Sequence, residues 1–187
     1  MEFITLANKN SVNLVEDVLM YPLKVNRDES GILVEALRTD WKEIYGKDRE
    51  FAMQYFSVTD SGVARDETVW HCHPNQEDRF LVAQGEIIVA VADNRQDSQT
   101  LGLLNLFHMK ADMDPYTLLI PKGALHGFLV VSRSPAVLLN FPTRLYSLSE
   151  EQRIAYKEAR IKQSDGSLFS WNQVRKEFKL TSRLDLL

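Results

Sequence analysis

Between Trp70 and Phe80 the chain reads WHCHPNQEDRF, which holds two of its four histidines, its single cysteine and two adjacent acids, Glu77 and Asp78. In an extended strand, residues two apart share a face. His71 and His73 are therefore expected to point one way and Cys72 the other, into the core. Two imidazoles on one face can grip a metal, move protons or line a polar turn. A third imidazole, His126, follows Pro121 and Gly123 in PKGALHGF. Three neutral imidazoles and one carboxylate form a donor set for a divalent transition metal: Zn, Fe, Mn, Ni or Co. His71, His73, His126 and either Glu77 or Asp78 are the candidate ligands; the spacing does not choose the metal. His71, His73 and Asp78 are also the candidate acid–base groups, any of them that does not ligate being able to move the proton. His108 has no motif around it and reads as a surface or packed histidine.

The spacing H-x-H, an acid, six residues and Gly85, then Pro121-x-Gly123-x-x-His126, resembles the metal-binding cupins over roughly residues 62–146. Those proteins usually carry Glu where Asp78 stands. A narrower resemblance is carried by RDESGILVEALR, SGVARDE, GEIIVAVADNRQDSQTLG, LLIPKGALHGFLVVS and FPTRLYS, over about residues 28–146. These segments look like the dTDP-4-dehydrorhamnose 3,5-epimerase family of nucleotide-sugar enzymes. The resemblance implies an epimerase or isomerase of a keto sugar, nucleotide-linked, and a homodimer paired through its sheets. It also places departures. The family's Lys falls on Asp78, its Tyr acid on Leu139 with Asn140 beside it, and its phosphate-binding Arg on Ser30, whereas Glu35 and Arg65 are retained. Its base is a His that His71 or His73 can supply. A metal can replace what the Lys did, by polarising a carbonyl and holding an enolate. Arg65, Arg95 and Lys122 are candidates to meet phosphate, and Glu35 and Asn140 to contact the sugar. Arg95 has a structural alternative, an ion pair with Asp93 or Asp97. Two other readings stay open: another metal-dependent cupin enzyme (an oxygenase or small-acid isomerase) and a non-catalytic sugar-binding cupin.

Between Phe51 and Tyr146, short β-rich runs are broken by Gly, Pro and Asp turns, as in an antiparallel sandwich or barrel. With the resemblance, the expected fold is mainly β: a cupin-type double-stranded β-helix, or jelly-roll barrel, with an N-terminal arm and short C-terminal helices. The 187 residues suit one domain, with an arm over 1–50, a barrel core over 51–146 and a helical tail over 147–187. SGILVEALR reads as a strand and TDWKEIYG as one or two helical turns. SLSEEQRIAYKEARI reads as a helix capped by Ser149, and SWNQVRKEFKL as a second. Arg79 is expected on the outside, in a dimer contact. A net charge of −4 without a basic stripe argues against nucleic acid or an anionic membrane as partner. There is no signal-peptide pattern and no run of the roughly 18–20 apolar residues a spanning helix needs. One cysteine excludes an internal disulfide, and a cytoplasmic protein is expected.

Overall fold

The short apolar runs become antiparallel strands in a computed structural model, which describes residues 1–46 and 49–180. Thirteen strands and two α-helices are present among them. One sheet of five strands is ordered β1 (Leu19–Pro22), β10 (Tyr116–Ile120), β7 (Asp78–Gln84), β12 (Ala136–Asn140) and β4 (Tyr55–Thr59). The other runs β13 (Gln152–Ala155), β6 (Val69–Cys72), β11 (Leu125–Val130), β8 (Glu86–Ala92) and β9 (Leu104–Lys110), with β5 (Ala64–Arg65) also on β11. A separate hairpin joins β2 (Val25–Asp28) to β3 (Gly31–Val34). This is the jelly-roll architecture expected, with β1 of the arm built into the first sheet.

Strand β8, EIIVAVA, shows why a strand can be apolar at every position after its first, Glu86. Ile87, Val89 and Val91 face the interior between the sheets with Phe80, Val82, Leu118 and Phe128. Ile88, Ala90 and Ala92 face the other way and are covered by Ile161, Phe169, Trp171 and Val174 of the tail. Both faces are thus buried, and polar alternation disappears. Helix α2 (Trp171–Glu177) forms as expected, with the Ser170 hydroxyl accepting the Asn172 N–H. Among the described residues no helix is long and apolar enough to cross a membrane.

The first tail helix does not form as expected. Residues Leu148–Glu150 make one 3-10 turn, Gln152–Ala155 become β13, and only Tyr156–Ala159 are α-helical, as α1. Strand β6 would otherwise expose a row of unpaired backbone groups, and β13 covers it in register: Gln152 opposite Cys72, Arg153 opposite His71. The sequence TDWKEIYG closes only a turn, with the Trp41 carbonyl accepting from Ile44 N and Tyr45 N.

Arg79 is the second correction. Its side chain is fully buried and donates to the carbonyls of Phe141 (2.7 Å), Ile44 (2.9 Å) and Arg49 (2.8 Å), with Tyr45 against its guanidinium. Its planar fork ties the arm to the barrel. Arg79→Ala is expected to destabilise the protein by on the order of 4 kcal/mol, because three carbonyls lose their donor in a dry site. Arg79→Lys should recover little, since an ammonium cannot span the three acceptors. Urea unfolding of the three proteins measures both effects.

Candidate active site

Strands β6 and β11 lie side by side with His71 opposite His126, and His73 follows two residues along. The turn before β11 closes because Gly123 adopts φ +74°, and its N–H donates to the His73 carbonyl at 2.9 Å. Ring centroids of the three imidazoles lie 5.5–6.2 Å apart, and one nitrogen from each lies within 4.8 Å of the others. Cys72 points away, buried, with its thiol directed to the Gly123 carbonyl and its pKa pushed up to about 11 by burial.

Asp78 opens β7 and is buried beside them. Its Oδ2 lies 3.4 Å from His126 Nε2 and 3.6 Å from His73 Nε2. Its Oδ1 accepts from Gln76 Nε2 (2.9 Å) and Asn140 Nδ2 (2.8 Å). His126 Nδ1 lies 3.2 Å from the Ala124 carbonyl and His73 Nδ1 lies 3.1 Å from that of Glu150. A carbonyl only accepts, so these contacts place a proton on Nδ1 of each ring and turn both Nε2 atoms toward Asp78. Burial pushes His126 well below the usual imidazole range, against the pull of Asp78, and keeps it neutral. Two ring nitrogens and a carboxylate oxygen thus converge on one space, which suits a shared proton, a substrate hydroxyl or a cation.

His71 is held differently. Its Nε2 lies 2.8 Å from Asp66 Oδ2 and 3.7 Å from Glu151 Oε1. Two carboxylates on one nitrogen place the proton there and leave Nδ1, which has no hydrogen-bond partner among the described residues, as the basic atom. Asp66 directly follows β5 with φ +62°, a conformation Asp tolerates better than most side chains. Burial alone would raise its pKa, but the His71 hydrogen bond and the Arg153 and Arg65 charges outweigh it and hold the carboxyl below its usual range.

An open cleft of about 250 Å³ exposes this group between the sheets, lined by Tyr55, Arg65, Asp66, His71, His73, His126 and Arg153, with Phe80, Phe128 and Leu138 as its apolar wall. Tyr55 comes from β4, in the sheet facing β6. Its oxygen accepts from Asn140 Nδ2 at 2.9 Å, so its own proton remains available. Burial, then the charge of Asp78, raises its pKa and keeps it a phenol. A larger cavity of about 320 Å³ lies under the tail, bordered by Met1, Leu104, Lys162 and Gln163. It holds no base paired with an acid, and the chemistry belongs to the smaller cleft.

The remaining candidates are placed elsewhere. Glu77, one residue from Asp78, turns away and pairs with Arg49 at 3.0 Å, so the acid beside the histidines is Asp78. Arg95 forms the structural ion pair: it holds the buried Asp93 at 2.8 Å and the Glu16 carbonyl at 2.8 Å. Glu35 is exposed on the arm against Arg38 at 2.8 Å, and Lys122 is an exposed turn residue; neither lines the cleft. Asn140 stands behind Tyr55 and Asp78, linking them. His108 packs between Phe3 and Phe178 and lies 3.1 Å from Glu86. Asp66, Tyr55 and Arg153 are the residues sequence reasoning missed. An acid adjoining the retained Arg65 was a usable signal for Asp66. Tyr55 and Arg153 had none, because each reaches the cleft through a strand whose neighbours are far away in the chain.

The model for dTDP-4-dehydrorhamnose 3,5-epimerase matches residues 13–173. "Probable low-salt glycan biosynthesis epimerase Agl13" of Haloferax volcanii is 39% identical over 145 residues, covering 76% of this chain and 88% of its own. Among solved structures, a dTDP sugar isomerase of Desulfovibrio desulfuricans superposes with a TM-score of 0.72 at 25% identity, over 82% of this chain and 94% of its own. A dTDP-6-deoxy-D-glucose-3,5-epimerase of Legionella pneumophila, in complex with dTDP-4-keto-L-rhamnose, gives a TM-score of 0.70 at 25% identity, over 84% and 82%.

Proposed function

Since the chain belongs to the dTDP-4-dehydrorhamnose 3,5-epimerase family, we propose that it epimerises a nucleotide-linked 4-keto sugar, with His71 as base and Tyr55 as acid. The chain is a sugar epimerase, an isomerase by class, rather than an oxygenase or a non-catalytic binder. The observation that carries the residue assignment is a paired base and an available phenol on facing walls of one cleft.

His71 Nδ1 takes the proton from the carbon next to the ketone, and Asp66 steadies the imidazolium through Nε2–H. The electron pair moves onto the ketone oxygen as the carbon–hydrogen bond breaks. Tyr55 then delivers its proton to the opposite side of the carbon, and Asn140 holds the phenol oxygen in place. The apolar wall keeps bulk water off the enolate. In deuterated water with a dTDP-linked 4-keto-6-deoxy sugar, NMR is expected to show deuterium entering at C3, C5 or both. A sugar that stays fully protonated at both carbons rules the reading out.

A second reading rests on the convergent acceptors: a divalent metal held by His73, His126 and Asp78, with His71 as the third imidazole. Such an ion would polarise the ketone. It would also require Nε2 of His71 to leave Asp66, or the ring to bind through Nδ1 and give up its role as base. The first reading expects deuterium uptake to survive removal of metal by a chelator; the second expects its loss, restored by one of the five candidate metals.

Homodimer formation is also proposed. Edge strand β4 exposes Phe56 (64%) and Val58 (54%), and hairpin β2–β3 exposes Ile32 and Leu33 (62%). An unpaired edge carrying apolar side chains favours pairing with a second copy. Analytical ultracentrifugation should find a dimer, and Phe56→Glu with Val58→Lys should give a monomer of unchanged secondary structure.

A further inference from the structure

Resting on the epimerase reading, we infer that Arg153 is the cleft's second phosphate contact, parked on Glu151 until a diphosphate draws it away. Of the cations considered from the sequence, Arg95 is tied to Asp93 and Lys122 lies off the cleft, which leaves Arg65. The Arg65 guanidinium donates to neutral oxygens, Thr59 Oγ1 at 3.1 Å and the Val58 carbonyl at 3.5 Å. The tail strand β13 adds a second guanidinium by pairing Arg153 with His71. The Arg153 side chain is 60% exposed at the cleft and grips Glu151 at 2.6 Å.

Its other contacts hold it weakly. Arg153 Nε lies 3.2 Å from His71 Nε2. Arg153 Nε–H is directed at that nitrogen, which also faces Asp66 Oδ2 at the shorter distance of 2.8 Å, so the two compete for one atom. The Asp66 carboxylate is 3.9 Å away. An ion pair this open to water contributes little to holding the side chain. A diphosphate offers paired oxygens and higher charge, which match the planar guanidinium fork.

The chemistry of the substrate sets where such a contact must stand. In a nucleotide-linked hexose the diphosphate is on C1, and C1 is separated from both C3 and C5 by a single ring atom. A cation that grips the diphosphate while His71 reaches C3 or C5 must therefore stand beside the base, as Arg153 does. Arg65 acts on the same Asp66 carboxylate and closes the grip from β5. The pair would make the cleft select sugars carrying a diphosphate over free sugars.

The test titrates dTDP, and thymidine as the uncharged control, into the full-length protein by calorimetry. Arg153→Gln is expected to weaken dTDP binding roughly 10–100-fold, the range of one lost charge-assisted contact. Arg153→Lys should recover part of the loss, because it keeps the charge without the fork. Glu151→Gln should tighten dTDP binding several-fold, since the guanidinium no longer has to leave a carboxylate. Thymidine binding should stay constant throughout. Wild-type affinity in Arg153→Gln overturns the inference; so does weakened binding in Glu151→Gln, which would mark a structural pair, or a wild type that binds dTDP no better than thymidine. Intact dTDP binding without deuterium uptake would overturn the epimerase reading and leave this one standing.

Discussion

Replacing His71 with Gln is expected to lower the rate of deuterium uptake from solvent into the keto sugar by roughly 10³-fold, the middle of the range that a positioned general base supplies. Its imidazole is the one whose geometry leaves a basic nitrogen free in the cleft while both Asp66 and Glu151 claim the other. The ring lies half-buried near the edge strand β13, and a Gln of similar reach should leave the barrel intact. Asp66→Asn keeps an acceptor for the Nε2 proton but removes the charge that stabilises the imidazolium. A smaller loss of roughly 10–10²-fold follows for it. Uptake measured by proton NMR under single-substrate conditions checks both. If His73→Gln stops uptake while His71→Gln does not, the base has been assigned to the wrong strand.

Replacing Tyr55 with Phe should separate two events that the wild type joins. Proton removal depends on His71 and should continue, so deuterium still enters the sugar. Inversion needs a donor on the far face, and Phe offers none. The epimerised product is expected to fall by roughly 10²–10³-fold while exchange with retention of configuration persists. Removing the hydroxyl takes away one acceptor, and the Asn140 amide that donated to it keeps Asp78 as its acceptor. Comparing deuterium content with the ratio of epimers in the same sample is the measurement. Equal loss of both would mean that Tyr55 acts on proton removal or on binding instead.

Much of the site could be read along the chain. The H-x-H pair shares a face because strand geometry alternates, and the Pro-x-Gly-x-x-His turn needs a residue with positive φ, as Gly123 has. Asp78 and Glu77 could not be separated by type, only by which face each took. Arg79 looked like a surface cation by its chemistry, yet it is buried, because three carbonyls from the arm and β12's end surround it. The stretch after Ser147 has helical capping residues and helical spacing, and most of it still became turn and strand. The unpaired edge of β6 offered hydrogen bonds that outweighed local propensity.

By itself, then, the sequence determined the family through the resemblance of its motifs, and with the family the jelly-roll class and the meeting of three imidazoles; strand periodicity alone determined only that His71 and His73 share a face. Only the tertiary structure decided which histidine meets Asp66, which tyrosine faces it and which arginine stands beside it. Asp66, Tyr55 and Arg153 arrive on β5's end, β4 and β13, and their positions follow from pairings with strands up to some 80 residues away. Local patterns carry no record of such pairings, which are fixed by what each sheet edge must satisfy once the chain has collapsed.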